Sequence, residues 1–366
     1  METNSLIVNR SSTCFSQKWI TLKHKFSWSI FSRFFRIFFV ASVCFFSILL
    51  LIKFKGIVIP KIPTIVINQN QIKLINFTLK FSNIQKHYQM EKPLFDFCKG
   101  KQIKLVMLVM SRRESLERRM GIRNSWAKDA NKSIIIRYVI GGPSAEEKNS
   151  DKLDKILGGE QLQFNDLIRY NLAEGYEHLQ FKTGVAFQWQ QKFCFNAEFV
   201  MKIDDDTIFD IPRWNFWVDN RFKKQLNETE NGLAFFGYQF DEVYPVREKD
   251  HKWFVSPTVY PKETFPSYLH GSTYFANGKA ITAIMKHTSE VYALHIEDVI
   301  YTGILAEKGN VSRFDHAPYH FRDGSLENEE ECEHGQPLIF CLFQRVLSST
   351  SDYIEEYKHL HNLKCK

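Results

Sequence analysis

Hydrophobic and polar positions divide this 366-residue chain into stretches of different period. Residues 37–52 are all apolar or small, and with Phe34 and Phe35 the run approaches the ~20 residues that cross a bilayer. Residues 53–97 mix polar and apolar positions without a sustained period and carry Pro60 and Pro63, which reads as a stem. From Cys98 onward the pattern is that of an α/β domain. Ile103–Met110 is apolar at every position but Lys104, as in a strand buried on both faces of a parallel sheet. Residues 114–126 have helical spacing, with Leu116, Met120 and Ile122 turned inward and arginines nearby. A β-branched strand over 134–140 stops at Gly141-Gly142-Pro143. Helices are predicted over 145–157 and 175–193, then a strand over 198–203. Strands alternating with helices predict a parallel sheet whose ligand lies at the strands' carboxyl ends.

The long apolar run sets an expected topology. About 33 residues precede it, no small-residue cleavage site follows it, and Arg36 sits near one end, where its head reaches the headgroups. Arg10, Lys18, Lys23, Lys25, Arg33 and Arg36 outweigh Glu2 on the N-terminal side, against Lys53, Lys55 and Lys61 beyond the run. That bias keeps the N-terminus cytosolic. The expectation is a type II chain: cytosolic tail 1–33, transmembrane signal-anchor 34–52, stem 53–97 and one lumenal domain over 98–366. The acceptor sequons at Asn76, Asn131, Asn227 and Asn310 all fall on the lumenal side. So do Cys98, Cys194, Cys332, Cys341 and Cys365, enough for two disulfides with one thiol left over in an oxidising compartment. No Cys/His spacing suggests structural zinc. Much of the net charge of +7 is N-terminal, and no basic stripe interleaved with aromatics follows, which argues against a nucleic-acid partner.

The chemistry concentrates at Asp204-Asp205-Asp206, directly after the apolar run Phe199-Val200-Met201-Lys202-Ile203. Three adjacent carboxylates repel one another at the end of a buried strand, and a divalent cation would relieve that repulsion through oxygen ligands. A solvated acidic turn is the plain alternative. An aspartyl phosphatase fails on spacing, because Ile208 stands where its motif needs Thr or Val. An EF-hand fails for want of alternating oxygen ligands and a central Gly.

Ordered motifs then carry a family resemblance. Arg118-Arg119-Met120-Gly121-Ile122-Arg123-Asn124-Ser125-Trp126 resembles the RRxxIRxxW helix of the β1,3-glycosyltransferases, which include the β1,3-galactosyl- and β1,3-N-acetylglucosaminyltransferases. In the family's order follow Glu160 with Asp166-Leu167-Ile168, then Tyr176 to Lys182-Thr183, and the strand and turn ending at Asp206. Next come Gly237-Tyr238, Pro245-Val246-Arg247, Lys252-Trp253, Phe265-Pro266-Ser267-Tyr268 and Gly271, and then Glu297-Asp298-Val299 with Tyr301-Thr302-Gly303. The resemblance implies a GT-A fold, a Golgi membrane enzyme, an inverting mechanism, a UDP-sugar donor, a glycan acceptor and a divalent metal, Mn2+ or Mg2+. It also leaves a homo-oligomer open.

Roles follow from the same match. Asp206, supported by Asp204, would hold the metal, with Asp205, Lys202, Arg119 and Arg123 on the donor side. Asp298 would be the base that takes the acceptor proton, with Glu297 orienting it or gripping the acceptor. Trp253, Tyr268 and Gly271 would lie on the acceptor side. Duller alternatives stand beside these: Arg119 and Arg123 as buried braces, Trp253 and Tyr268 as core, and Glu297-Asp298 as a helix cap. Three departures qualify the match. Leu269 replaces a cysteine common in the family, and Ile300 is inserted in the Glu-Asp-Val motif. Ser348-Ser349-Thr350 stand where a strand should deliver a His to the site, leaving His316 or His320 as substitutes. The two functions weighed are an active β1,3-transferase and a catalytically silent membrane-anchored glycan- or nucleotide-binding protein that retains the fold.

Overall fold

The computed structural model describes residues 89–93, 97–322, 326–327 and 329–366, all in the compact unit Lys61–Lys366. The tail 1–33, the anchor 34–52, nearly all of the stem and Asn76 lie outside the described residues. Among those described, no helix is long and apolar enough to cross a membrane.

Seven strands form the central sheet: β1 (Ile103–Met110), β2 (Ile134–Gly142), β3 (Leu167–Ala173), β4 (Ala197–Asp204), β6 (Ala234–Phe240), β7 (Tyr268–Asn277) and β8 (Ser312–Asp315). Their order is β3-β2-β1-β4-β7-β6-β8. The first four are parallel, and β7 is the antiparallel strand that joins them to the parallel pair β6 and β8. Alternate residues of β1 and β4 feed two separate apolar clusters. Val106, Leu108 and Val200 enter one with the helix Leu179–Phe193; Leu105, Met107, Val109, Phe199, Met201 and Ile203 enter the other with Trp126, Trp214 and Trp217. Both faces are therefore covered, which explains why β1 is apolar at every position but Lys104.

The helices depart from the expected bounds. The segment expected over 114–126 is α1 (Leu116–Asn124) followed by a 3-10 turn, Trp126–Asp129. The helix expected over 145–157 is α2 (Ser150–Phe164), framed by Asn149 and Asn165 in left-handed conformation. The segment 175–193 divides into a 3-10 turn, Tyr176–His178, and α3 (Leu179–Phe193). A final helix, Thr350–His361, lies against α1, where a Cβ on Gly121 would overlap the Tyr353 ring. Only glycine permits that approach.

Among the described residues two disulfides, Cys98–Cys194 and Cys332–Cys365, leave Cys341 as a buried thiol. The sequons at Asn131, Asn227 and Asn310 are exposed. A short strand, β5 (Thr207–Phe209), leaves the acidic turn and pairs antiparallel with the strand Cys341–Phe343, which runs parallel to β9 (His320–Arg322).

Candidate active site

The parallel half of the sheet ends its strands at one edge, and β4 delivers the acidic triplet there. Asp204 is the last residue of β4, opposite Met110, and Asp205-Asp206 form the turn into β5. Gln344 donates its backbone N–H to the Asp206 carbonyl at 2.9 Å, and the Tyr353 hydroxyl donates to the Asp205 carbonyl. The turn is thus pinned from two sides. Arg118 of α1 reaches across it, 2.9 Å from Asp205 Oδ1 and 3.3 Å from Asp206 Oδ2. The other oxygens, Asp205 Oδ2 and Asp206 Oδ1, are buried without a hydrogen-bond partner. Burial pushes the Asp204 carboxyl up to about 7, with Asp206 and Glu297 adding to the rise and Lys202 opposing it. Burial and the Asp205 charge also raise Asp206.

The second acidic group comes from the segment entering a π-helical turn, Val299–Ile304. Asp298 caps that turn, its Oδ1 accepting from Val299 N at 2.9 Å. Thr302 ties the turn to β7 by donating to the Asp298 carbonyl at 2.6 Å and accepting from Leu269 N at 2.8 Å. Asp298 Oδ2 lies beside Gly271, where a Cβ would stand 3.0 Å from it. Burial and the neighbouring Glu297 push Asp298 up to about 7. Glu297 itself is buried, accepting from the Tyr274 hydroxyl at 3.0 Å.

Lys202 joins the two groups. Its buried ammonium lies 2.5 Å from Asp204 Oδ1 and 3.2 Å from Glu297 Oε1, and it donates to the Gly271 carbonyl. Burial lowers its pKa, but the two carboxylates outweigh that effect and the net shift is upward. Lys202 was expected on the donor side; the structure makes it a strut between the acids, because its position on β4 faces inward opposite Tyr274.

Two cavities meet at Asp204. One, of about 1090 Å³, is lined by Arg118, Asp204, Asp205, Asp206 and the end of β1. The other, of about 470 Å³, is lined by Tyr268, Gly271, Glu297 and Asp298. Tyr176, Lys252, Trp253, Phe343 and Arg345 border both. Trp253 is 44% exposed, and its indole N–H donates to the Tyr176 hydroxyl at 3.0 Å. Tyr268 is half-buried against Phe240 and Phe265.

Arg119 and Arg123 do not line either cavity. Arg119 makes a two-pronged pair with Glu160 at 2.7 and 2.8 Å, and Arg123 bonds Glu160 at 2.7 Å and Asp166 at 2.7 and 2.9 Å. These two residues are one helical turn apart and share the face turned to α2, whereas Arg118 is rotated toward the acids. Of the two readings weighed for them, these ion pairs fit bracing and not the donor-side placement, and the arginine at the acidic turn is Arg118.

The departures also resolve. Ile300 is buried within the π-helical turn, a geometry that absorbs one extra residue without displacing the cap before it. Leu269 is fully buried and touches the space above Gly237. Ser349 is the N-cap of the last helix, with Asp352 completing a capping box, so this segment has a backbone role. His316 and His320 border neither cavity. His316 is enclosed by Phe222, Phe236 and Tyr319 with neither ring nitrogen partnered, and burial drives it well below the usual histidine range; burial brings His320 down to about 4.

Among the described residues no group of three or more His, Cys, Asp or Glu side chains is assembled for a metal. The unpartnered oxygens of the turn nonetheless suit a hard cation held by one or two carboxylates, with substrate phosphates and water completing its shell.

Comparison with known proteins bears on this arrangement. The Galactosyltransferase family model matches residues 117–317, over half the chain, and includes both acidic groups. The zebrafish (Danio rerio) Lactosylceramide 1,3-N-acetyl-beta-D-glucosaminyltransferase B is 27% identical over 276 residues, 72% of this chain and 67% of that protein. Human Beta-1,3-galactosyltransferase 5 is 28% identical over 250 residues, 67% of this chain and 73% of its own. Mouse UDP-GalNAc:beta-1,3-N-acetylgalactosaminyltransferase 1 is 30% identical over 203 residues, 55% of this chain and 58% of its own. Mouse xyloside xylosyltransferase 1, among solved structures, aligns over 67% of this chain and 98% of its own at 10% identity, with a TM-score of 0.32. So weak a likeness adds nothing to the fold read from the chain itself. With both acidic groups inside the matched region, the chain belongs to the galactosyltransferase family of glycosyltransferases, which move a sugar from a nucleotide-sugar donor to a glycan acceptor.

Proposed function

We propose that this chain is an inverting transferase of the GT-A type that moves a hexose or N-acetylhexosamine from a UDP-sugar to a glycan hydroxyl in β1,3 linkage. It would act in the Golgi lumen behind the N-terminal anchor. The observation that carries the reading is the meeting of two acid-lined cavities at Asp204, with Asp206 in one and Asp298 in the other. The relatives' printed names, a β1,3-galactosyltransferase and β1,3-N-acetylhexosaminyltransferases, support the linkage.

The larger cavity takes the donor. Asp206 and Asp204 would hold the divalent cation, which supplies Lewis-acid stabilisation of the leaving diphosphate when bound. Arg118 holds Asp205 and Asp206 in place, so the turn keeps its shape. The smaller cavity takes the acceptor, with the Tyr176–Trp253 pair at its mouth offering an aromatic face to a sugar ring. Asp298 Oδ2, lying over the space that Gly271 leaves open, receives the acceptor's hydroxyl proton as its oxygen attacks the sugar's anomeric carbon. Burial, with Glu297 beside it, keeps Asp298's pKa high enough for that exchange. Lys202 holds the two acidic groups in register.

The test is turnover of a panel of UDP-sugars by the full-length chain in detergent, with Mn2+ or with chelator, first alone and then with an acceptor panel. The reading predicts metal-dependent turnover of one donor that disappears in Asp206→Ala and Asp298→Ala. Measurable UDP binding with no turnover of any donor and any acceptor would replace it with a silent binding protein.

A further inference from the structure

Several basic side chains lie near the acidic turn. Lys202 bonds Asp204 and Glu297, Lys182 bonds Glu174 and the Ser111 carbonyl, and Arg118 lies on Asp205 and Asp206. Arg345 and Lys252 are both exposed and border both the donor and the acceptor cavity, and of the two it is Arg345 that the chain ties to the acidic turn. The fold fixes it there. The strand Cys341–Phe343 pairs with β5, with Phe343 opposite Thr207, and Gln344 then bonds the Asp206 backbone at 2.9 Å. Arg345 is therefore one residue from a main-chain bond to the triplet, beyond the region that the family model matches. Its guanidinium lies 5.7 Å from the centre of the Phe343 ring, itself part of both cavity walls. No histidine borders the donor cavity among the described residues.

We propose that Arg345 is a phosphate-binding cation of the donor site, holding the diphosphate across the acidic turn as the sugar departs. The inference rests on the UDP-sugar reading of the larger cavity. In the transfer, the bond from the anomeric carbon to the β-phosphate oxygen breaks and its electron pair stays on the diphosphate. The acceptor oxygen bonds the same carbon, and its proton passes to Asp298. A guanidinium remains charged throughout and offers forked N–H donors that match phosphate oxygens. Part of the affinity for UDP then belongs to the protein and persists when metal is removed.

Calorimetric titration of the full-length chain in detergent with UDP and with uridine, in Mn2+ and in chelator, tests this in wild type, Arg345→Ala and Arg345→Lys. The expected result is a loss of UDP affinity of roughly 10- to 100-fold in Arg345→Ala under both conditions, the range for one charged hydrogen-bonded contact. Uridine affinity stays unchanged, Arg345→Lys recovers part of the loss, and the melting temperature does not move. Wild-type UDP affinity in Arg345→Ala would overturn the inference and leave the donor reading standing. An equal loss for uridine and UDP would mark a structural role and overturn it as well. A wild-type chain that binds no UDP in either condition would remove the donor reading and this inference together.

Discussion

The acidic turn after β4 and the acidic pair before the π-helical turn meet the same lysine, yet their carboxylates are held differently. In the turn, Asp205 and Asp206 share one arginine, and each keeps a buried oxygen without a partner. In the pair, Glu297 is engaged by Lys202 and Tyr274, and Asp298 spends one oxygen on a helix cap. Partly satisfied carboxylates at a cavity suit a cation that arrives with substrate. Carboxylates tied down by the protein suit positioning and proton transfer. Lys202 makes the two depend on each other, since removing it leaves an uncompensated charge on both sides.

The comparison breaks most visibly at Asp298. Asp298→Asn keeps the cap to Val299 but removes the base, and transfer should fall about 10²- to 10⁴-fold, as expected for a lost general base, while UDP affinity is retained. Steady-state rates alongside UDP titration check this, and a parallel loss of UDP binding would place Asp298 on the donor side. Lys202→Met removes the shared cation, and loss of one partner of a buried pair costs about 3–5 kcal/mol. Chemical denaturation reads it, and an unchanged midpoint would contradict the strut.

The pH dependence sharpens the same contrast. Asp298 is raised to about 7 by burial and Glu297, and as the proposed base it would work in its deprotonated form. Rate constants for transfer should therefore fall as pH drops below about 7, approaching tenfold per unit. A profile flat from pH 5 to 8 would exclude Asp298 as the base. Gly271→Ala has the smallest expected effect. Its Cβ would press on Asp298 Oδ2 at 3.0 Å, so transfer should drop several-fold, by about 1 kcal/mol, the scale of a modest steric misfit. Fold stability and UDP affinity should stay near wild type, as thermal melts and titration would show.

Much of this arrangement was legible before any coordinates. The apolar residues of β1, broken only by Lys104, and those of β4 from Phe199 to Ile203, broken only by Lys202, announce strands covered on both faces, and the triplet's place after β4 puts it at the sheet's carboxyl edge. β3 carries no such signal, because Arg169 and Asn171 interrupt its apolar residues on the sheet's edge. Helix phase was harder. The motif names Arg118, Arg119 and Arg123 together, and only packing shows that Arg118 turns to the acids while the others brace α2. The motif puts Lys202 on the donor side beside the turn, yet strand alternation buries it between two acids distant in sequence. The inserted Ile300 carried no sign that a π-helical turn would absorb it. Arg345 reaches the site through the pairing of Cys341–Phe343 with β5, a long-range contact that local pattern does not encode.

In the proposed reaction Asp298 activates an acceptor oxygen against the face of the sugar opposite the diphosphate. Proton NMR of the product formed from an α-linked UDP-sugar, read at the anomeric coupling during early turnover, tests it most directly. The account predicts a β-linked product that forms in wild type and is undetectable over the same time in Asp298→Asn. An α-linked product, or equal product from Asp298→Asn, would contradict it.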